Sequence, residues 1–291
     1  MAEKKESKEV AIPGYGVAHE LPALPMLPNL GELQDVFESN FEGITPAFES
    51  IHIPTGGIAV WSVPGDGDEP DIEKEIQGVI LDHYGVRVYW EQKYGGSGAG
   101  GPPDCSSIDG KTGNKFGACA SCDFAKFGTA TQADGTPGKG QACRMIHRVY
   151  IWMAGREGIF PYLLPLPPSS GQSKYDGSFQ TYAIKLAGKM KKLQDVRTKV
   201  KLVAQDMNGV KVARAHFFYV ADLTPGEKAQ AAFLREQLRP AMRTKPMEFA
   251  EADEDTKIGA QSAQSAAANV GGWDSRAPGA EADPWESEHK D

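Results

Sequence analysis

A Gly-rich segment from Pro103 to Cys143 contains every cysteine of the chain. A segment of about 40 residues without regular apolar periodicity is rare in a compact domain unless a crosslink or a bound ion holds it together. The spacing is Cys105-x13-Cys119-x2-Cys122-x20-Cys143. A C-x-x-C pair allows two thiolates of one turn to bind the same tetrahedral ion. The spacing therefore predicts a structural Zn²⁺ site, in which four thiolates leave no open coordination position for catalysis.

Other interpretations of the four cysteines stay open. They are an iron–sulfur cluster, buried free thiols and a redox-active C-x-x-C motif. Buried thiols are typical of apolar strands, and a redox motif opens a helix after a strand. The residues around Cys119 and Cys122 show neither context. His147 is an alternative metal ligand, although the apolar strand pattern around it favours a packed or surface side chain.

Short β-type runs separated by turn residues occupy the chain on both sides of the cysteine segment. In the run VRVYW, side chains alternate between two faces of a strand, as they do wherever one face is buried. Val86, Val88 and Trp90 fall on one face, and Arg87 and Tyr89 fall on the other. The alternation predicts a strand with an apolar side and a side that carries a cation next to a ring.

The second half of the chain combines strands with helices. Two runs flank the turn sequence DMNG, which predicts a β-hairpin. Apolar residues recur at helical spacing from Phe179 to Met190, and Thr224 followed by Pro225 predicts the start of a last helix that ends near Pro240. The element order predicts a mainly β fold with accessory helices, an elaborated OB-type Greek-key barrel with an inserted four-cysteine zinc loop and disordered termini. A mixed α+β sheet is the competing prediction.

Composition divides the chain into three regions. Residues 1–48 are rich in Pro and charge, and are predicted to be a flexible arm with one short amphipathic helix at LGELQDVFESNF. Residues 49–247 are the predicted core, with the zinc insertion at 103–143. Residues 248–291 contain few core-forming side chains and are predicted to be a disordered acidic tail.

The sequence shows no sign of a membrane segment or a secretory signal. No apolar run approaches the ~18 residues that a membrane span needs, and the N-terminal MAEKKESKEV lacks an apolar core. We therefore expect no membrane partner and a cytoplasmic location, where thiols stay reduced.

Charge is segregated along the chain. Residues 144–245 contain 18 basic and 7 acidic residues, a net of +11, whereas residues 248–291 contain 11 acidic and 3 basic residues, a net of −8. A basic module followed by an acidic tail favours polyanion binding by the first, and self-shielding or partner recruitment by the second.

Cations and aromatic residues are interleaved in and before the basic module, as single-stranded nucleic acid requires. Cations track phosphates, and flat rings stack on unpaired bases. The predicted nucleic-acid contacts are Arg87, Tyr89, Trp90, Lys93, Tyr94, Arg144, Arg148, Tyr150, Trp152, Lys199, Lys201 and Arg214. Lys199 and Lys201 share a strand face, and Phe217 and Phe218 cannot both face the same side. The competing interpretation of each residue is that strand aromatics are core and lysines are solvated.

The acidic tail has two predicted roles besides solubility. It competes with nucleic acid for the basic groove, and it recruits replication or recombination proteins once it is displaced. The predicted partner anchor is Trp285 between Asp283 and Glu286.

Catalytic motifs are missing from the sequence. It has no phosphate-binding loop, no nucleophile elbow, no zinc-protease helix and no deaminase signature. We therefore expect that this protein is not an enzyme. Two alternatives stay open: a zinc-ribbon-bearing adaptor or regulator that recruits partners through its tail, and a nuclease that uses the carboxylates of Asp66, Asp68 and Asp71.

The cysteine segment, with PPDCSS, CASC and GKGQAC, stands in a β-rich core between a charged arm and an acidic tail. This layout resembles the single-stranded DNA-binding proteins of T-even-type phages and also uncharacterised proteins of phages and mobile elements. The likeness is one of architecture over roughly residues 50–222 and the tail. It implies an OB-fold, structural zinc and a role in replication or recombination, in the bacterial host cytoplasm if the protein is phage-derived. Together with the basic, aromatic core, it predicts a non-enzymatic protein that binds single-stranded DNA with little sequence preference in replication, recombination or repair, with RNA as the alternative ligand. The phage proteins use a mixed His/Cys ligand set, whereas four cysteines are available here.

Overall fold

The computed structural model describes residues 22–25, 27, 29–54, 57–65, 67, 69–91, 103–131, 135–172, 174–207 and 210–244. Its strands are β1 (Trp61–Val63), β2 (Asp71–Glu73), β3 (Glu75–Tyr89), β4 (Cys105–Ser107), β5 (Thr112–Gly113), β6 (Gly117–Ala118), β7 (Arg144–Met153), β8 (Tyr162–Leu166), β9 (Val196–Met207) and β10 (Val210–Asp222). Its α-helices are α1 (Leu30–Asn40), α2 (Pro168–Gly171), α3 (Phe179–Gly188) and α4 (Pro225–Thr244), and short 3₁₀ turns cover Asp123–Ala125 and Leu193–Asp195. The fold is mainly β, as the sequence predicts.

The main sheet is antiparallel and open. Its strand order is β10-β9-β3-β7-β8, and β4 pairs with the last residues of β3. Strands β10 and β8 are the two ends of this order in the described part of the chain, whereas an OB barrel closes on itself. The predicted hairpin at DMNG is formed by β9 and β10, although Asn208 and Gly209 lie outside the described residues.

A β-bulge in β3 decides which side chains face which layer. The register against β7 shifts between Ile80 and Asp82, so that the apolar face passes from odd-numbered to even-numbered residues. Val86 and Val88 are buried on that face, as the alternation predicts. Asp82 follows the bulge and is also turned inward, with 5% of its surface exposed.

Two apolar layers cover the sheet. On one face, α1 and α4 pack against β3 and β7, with Leu33, Phe37, Leu234 and Leu238 buried there. On the other face, α3 and the β1–β2 hairpin pack against the strands. The sheet is therefore sandwiched, an arrangement closer to the competing α+β prediction than to a barrel.

Part of the predicted N-terminal arm belongs to the core. The amphipathic helix predicted at LGELQDVFESNF is present as α1, and the Asn29 side chain caps it by accepting a bond from the Glu32 N–H at 2.9 Å. Leu24 and Leu27 are buried in the same layer as α1. The described residues between positions 22 and 48 therefore differ from the prediction of a flexible arm, because apolar side chains such as Leu33 and Phe37 complete the layer on β3 and β7.

The last helix begins as predicted and ends later. Thr224 and Glu227 form a reciprocal capping box, with the Glu227 N–H donating to Thr224 Oγ1 and the Thr224 N–H to the Glu227 carboxylate. The helix continues past Pro240 to Thr244. The hydroxyls of Tyr84 and Tyr150 donate to the carbonyl of Met242, whose side chain is buried, and this tertiary packing holds the final turn.

Candidate functional site

The cysteine insertion is attached to the end of the main sheet. Strand β4 pairs with β3 and places Cys105 directly opposite Tyr89. Cys143 immediately precedes β7, and its N–H donates to the Phe124 carbonyl at 2.7 Å. The two outer cysteines of the spacing are therefore positioned by the strands that flank the end of β3.

All four cysteines line one small cavity. Its volume is ≈ 10 Å³, space for about one water molecule or ion. The Cys122 N–H lies 3.4 Å from the Cys119 carbonyl within the C-x-x-C turn. The other lining residues include Arg87, Tyr89, Gly113, Phe116 and Phe124. The fold thus brings together in space the four residues that the sequence selected as metal ligands.

The thiols share this cavity without forming a ready-made ligand set. All four are free of disulfides. Within the part of the chain that the structure describes, no three or more His, Cys, Asp or Glu side chains are grouped so that they could hold a metal ion. Burial raises the pKa of the Cys143 thiol to about 11, despite the nearby Arg87 charge. This thiol is therefore neutral at pH 7 unless a cation displaces its proton.

Arg87 gives the cavity a positive neighbour. Its Nη1 is buried and has no hydrogen-bond partner among the described residues, whereas the charge of the Arg87 side chain and a hydrogen bond from it act on the Cys143 thiol. A divalent ion held by four thiolates carries a net charge of about −2, which a buried guanidinium would stabilise. Arg87 would therefore balance the charge of a thiolate-bound cation, although the described thiols are not arranged as a metal-holding group. The structure does not place Arg87 on an open nucleic-acid surface.

Two features inside the insertion shape the cavity. The Asp109 carboxylate accepts hydrogen bonds from the N–H groups of Thr112 and Lys111 and from the Ser107 hydroxyl, at 2.7–2.9 Å. These bonds lower the pKa of Asp109 to about 2 and fix the turn between β4 and β5. A Cβ at Gly113 would lie 2.8 Å from Cys105 Sγ, so only glycine allows this close approach.

A second cluster lies on the outer face of the β9–β10 hairpin. In the register of the two strands, Lys199 is opposite Phe218 and Lys201 is opposite His216. Directly opposed side chains on one sheet face are neighbours. Phe218 is 41% exposed. We call the six side chains Lys199, Lys201, Arg214, His216, Phe218 and Tyr175 the ring–cation face.

The three rings of this face form a row. The ring centroids of Tyr175 and His216 are 4.9 Å apart, and those of His216 and Phe218 are 6.4 Å apart with an interplanar angle of 24°. The Arg214 guanidinium lies 5.1 Å from the Tyr175 ring centre. Gly177 packs so closely on His216 that a Cβ would lie 2.5 Å from its ring nitrogen. The row is therefore held in place from one side.

One carboxylate moderates the charge of the ring–cation face. Glu75 Oε2 lies 2.7 Å from Lys201 Nζ and 3.9 Å from Lys199 Nζ. Burial alone would raise the pKa of Glu75, but hydrogen bonds from Lys201 and Gln77 and the two lysine charges lower it overall. Burial, followed by the charge of Arg214, lowers the pKa of His216. At pH 7 the ring–cation face therefore carries three cations and a neutral imidazole, and the Glu75 carboxylate lies beside it.

Several residues predicted to contact nucleic acid lie in the core instead. Tyr150 and Trp152 are 0% and 1% exposed, and Arg148 is fully buried with its guanidinium donating to the Tyr84 hydroxyl at 3.2 Å. Tyr89 is also buried and stacks on Phe124. The layers formed by α1, α4 and the cysteine insertion cover these side chains, so they stabilise the fold and are not available for base stacking.

The remaining predicted contacts have mixed positions. Trp90 packs half-buried against the layer that contains α1 and α4, and Arg144 is half-buried at the start of β7. Other predicted residues lie outside the described part of the chain: Lys93, Tyr94, Asp283, Trp285, Glu286, Asp66 and Asp68. Asp71, the third candidate nuclease carboxylate, is paired with Arg156.

The residues predicted from the sequence as nucleic-acid contacts include the cations of the ring–cation face but not its rings. Tyr175, His216 and Phe218 belong to the region in which cations and rings are interleaved, and the prediction does not include them. The parity of β10 was the available signal, because His216 and Phe218 alternate with the buried Ala215 and Phe217.

Comparison with known protein families, curated proteins and solved structures finds no match for this chain. None of the helices in the described ranges is both long and apolar enough to cross a membrane.

Proposed function

We propose that this protein binds single-stranded DNA, without catalysis and with little sequence preference, in replication, recombination or repair. The observation that supports this function best is the register of β9 and β10, which sets Lys199 beside Phe218 and Lys201 beside His216 on one exposed sheet face. A strand of unpaired nucleotides presents phosphates and bases alternately, and these pairs present a cation and a ring alternately.

Base stacking supplies the sequence tolerance of this proposal. Every base has a flat π-face, so an exposed ring such as Phe218 binds each of them at about 1–3 kcal/mol. Lys199, Lys201 and Arg214 provide the charge that attracts the backbone. Binding of nucleic acid to a face with this composition is largely electrostatic. Its affinity therefore falls steeply as the salt concentration rises.

The ring–cation face belongs to an open sheet. In the OB-type barrel that the sequence predicts, the ligand would lie in the groove of a closed barrel. The proposal depends instead on the exposed side of a two-stranded hairpin at the sheet edge. The proposed nucleic-acid site therefore does not depend on a closed barrel.

The cysteine cavity has a structural role in this proposal. Cys105, Cys119, Cys122 and Cys143 line an ion-sized space beside Arg87, and Zn²⁺ is the ion that suits an all-thiolate set. When bound, such an ion crosslinks distant segments of an insertion that has few strands of its own. The acidic tail, which lies outside the described residues, remains a predicted competitor and partner-recruiting segment.

Fluorescence anisotropy of a labelled oligo-dT tests the proposed function. The strand should be about 20 nucleotides long, longer than the ~4–16 nucleotides that one binding domain covers. Binding is expected at low salt, with affinity falling linearly against salt on a double logarithmic plot. An oligo-rU of equal length distinguishes DNA from RNA, and a duplex is the matched control. Equal affinity for duplex and single strand, or no binding at low salt, would reject the proposal.

A further inference from the structure

Three arginines of α4 surround one buried carboxylate. Arg235, Arg239 and Arg243 are spaced four residues apart and share a helix face. All three guanidinium groups lie within 4 Å of Asp82, whose side chain is 4% exposed. We call Arg235, Arg239 and Arg243 the arginine ladder.

The three arginines differ in whether they form hydrogen bonds with Asp82. Arg243 uses both sides of its fork, with Nε donating to Oδ2 at 2.6 Å and Nη2 to Oδ1 at 2.7 Å. Its Nη2 also donates to the His83 carbonyl, and its guanidinium stacks over the Tyr84 ring at 4.3 Å. One arginine therefore satisfies the carboxylate and is locked against the sheet.

The other two arginines remain outside hydrogen-bonding distance. Arg235 Nη2 and Arg239 Nε lie 3.9 and 3.7 Å from the Asp82 oxygens, beyond the ~2.7–3.2 Å of a normal N–H···O bond. Their side chains are 32% and 50% exposed. Attraction to Asp82 therefore holds the Arg235 and Arg239 guanidinium groups near a fixed position, but their N–H groups do not form hydrogen bonds with Asp82.

These donors face an open groove. The groove has a volume of ≈ 640 Å³ and is lined by Gln194, Ala232, Arg235, Glu236, Arg239, Pro240 and Arg243. Counting Asp82 and Glu236 against the three arginines leaves a net charge of +1 at this site. Two adjacent guanidinium forks beside a groove suit the tetrahedral oxygens of a phosphate group, which arginine binds in bidentate fashion.

We propose that the arginine ladder is a phosphate-binding site, in which Arg235 and Arg239 hold the phosphate and Arg243 with Asp82 fixes their helix face. The ligand class is a phosphate group, supplied either by the nucleic-acid backbone or by a free phosphate compound. The nucleic-acid source depends on the function proposed above, whereas phosphate binding by itself does not.

The test uses the full chain in two arms, with the same pair of variants in both. Arg239→Gln removes one uncommitted fork, and Lys228→Gln removes one exposed cation of the same helix outside the groove. In the first arm, labelled oligo-dT is titrated over a range of salt. Arg239→Gln is expected to weaken binding and to reduce the salt slope by about one, whereas Lys228→Gln keeps the wild-type slope.

In the second arm, inorganic pyrophosphate is added and the melting temperature is measured. Wild type and Lys228→Gln are expected to rise by the same amount, and Arg239→Gln to rise less, since a ligand stabilises only the form that binds it. Equal rises in all three proteins would reflect a general salt effect and would overturn the proposal. If Arg239→Gln does not fold, Arg235→Gln makes the same comparison.

The two arms separate the two proposals. If Arg239→Gln binds oligo-dT as wild type does and also shows the wild-type response to pyrophosphate, the arginine ladder is overturned as a phosphate site. The proposed role of the ring–cation face is not affected by that result. No oligo-dT binding by wild type rejects the proposed function, and a selective pyrophosphate effect would then still support the ladder with a free phosphate compound as its ligand.

Discussion

Lys199 and Phe218 lie directly opposite each other in the register of β9 and β10, with the ring of Phe218 exposed on the outer face of the sheet. An exposed phenylalanine beside a lysine contributes little to the core. In this position an unpaired base would stack on the Phe218 ring while its own phosphate would contact Lys199.

Replacing this ring tests the stacking role. Phe218→Ala should weaken oligo-dT binding about 5- to 150-fold, the equivalent of about 1–3 kcal/mol for one stacked base. Its melting temperature should change little, because the side chain is 41% exposed. Phe127→Ala, which removes an 80% exposed phenylalanine from the cysteine insertion, is the matched control and should bind as wild type does. Equal losses in both variants would contradict the assignment of the ring–cation face.

Removing the carboxylate of this face should strengthen binding. Glu75 is paired with Lys201 and lies near Lys199, so it competes with phosphate for both cations. Glu75→Gln is expected to raise oligo-dT affinity at low salt, with the gain shrinking as salt increases. The exposed Glu42 belongs to neither site, and Glu42→Gln is the charge-matched control. A Glu75→Gln variant that binds more weakly would indicate that Glu75 orients the lysines.

The metal prediction is tested by elemental analysis of the purified protein. We expect one equivalent of zinc per chain, and Cys143→Ser should lose it and melt at a lower temperature, because the ion crosslinks the insertion. Ser121→Ala, between the two cysteines of the C-x-x-C pair, should keep the metal. Iron with visible absorbance would favour the iron–sulfur alternative, and full zinc content in Cys143→Ser would remove this residue from the ligand set.

The buried indole of Trp152 allows core and binding roles to be separated. Trp152→Phe should lower the free energy of unfolding by about 1–3 kcal/mol, since it leaves space in a closed layer. Chemical denaturation measures this loss. Oligo-dT affinity of the folded variant should be unchanged, because the side chain is 1% exposed. A selective loss of affinity without a loss of stability would restore Trp152 as a nucleic-acid contact.

A pair of stacked histidines makes stability depend on pH. His83 Nδ1 and His147 Nε2 lie 3.0 Å apart, and burial, followed by the His83 charge, lowers the pKa of His147 to about 3. The unfolded chain therefore takes up a proton near the ordinary pKa of about 6.5, whereas the folded protein does not. The stability contributed by neutral His147 is complete above pH 6.5 and is lost progressively as pH falls toward 3.

Denaturation at several pH values measures this effect. Between pH 7 and pH 5, the free energy of unfolding should fall by up to about 1.4 kcal/mol per pH unit for each proton taken up. His147→Gln should show a shallower slope than wild type in this window. Identical slopes would mean that His147 does not remain neutral in the fold.

Local sequence patterns predicted two features of the structure: the two faces of β3 and the cysteines that line the cavity. Alternation in VRVYW assigned Val86 and Val88 to the core and Arg87 and Tyr89 to the opposite face, and the structure has this arrangement. The cysteine spacing selected four residues that line one cavity. These features depend on periods of two residues or on short turns, which neighbouring residues specify without the rest of the chain.

The tertiary structure decided which faces are covered. Alternation cannot show that α1 and α4 bury Tyr150 and Trp152, or that none of the described elements covers the outer face of β9 and β10. Likewise, Arg243 reaches Asp82 across 161 positions of sequence, and only the β-bulge after Ile80 turns that carboxylate toward α4. Strand order, register and the packing of layers arise from contacts between distant segments, whose free energy depends on the whole fold. The sequence by itself therefore determined the mainly β character of the fold, the opposite faces on which Val86 and Arg87 lie, and the four cysteines that line one cavity. Only the folded chain decided which cations and rings meet at a surface.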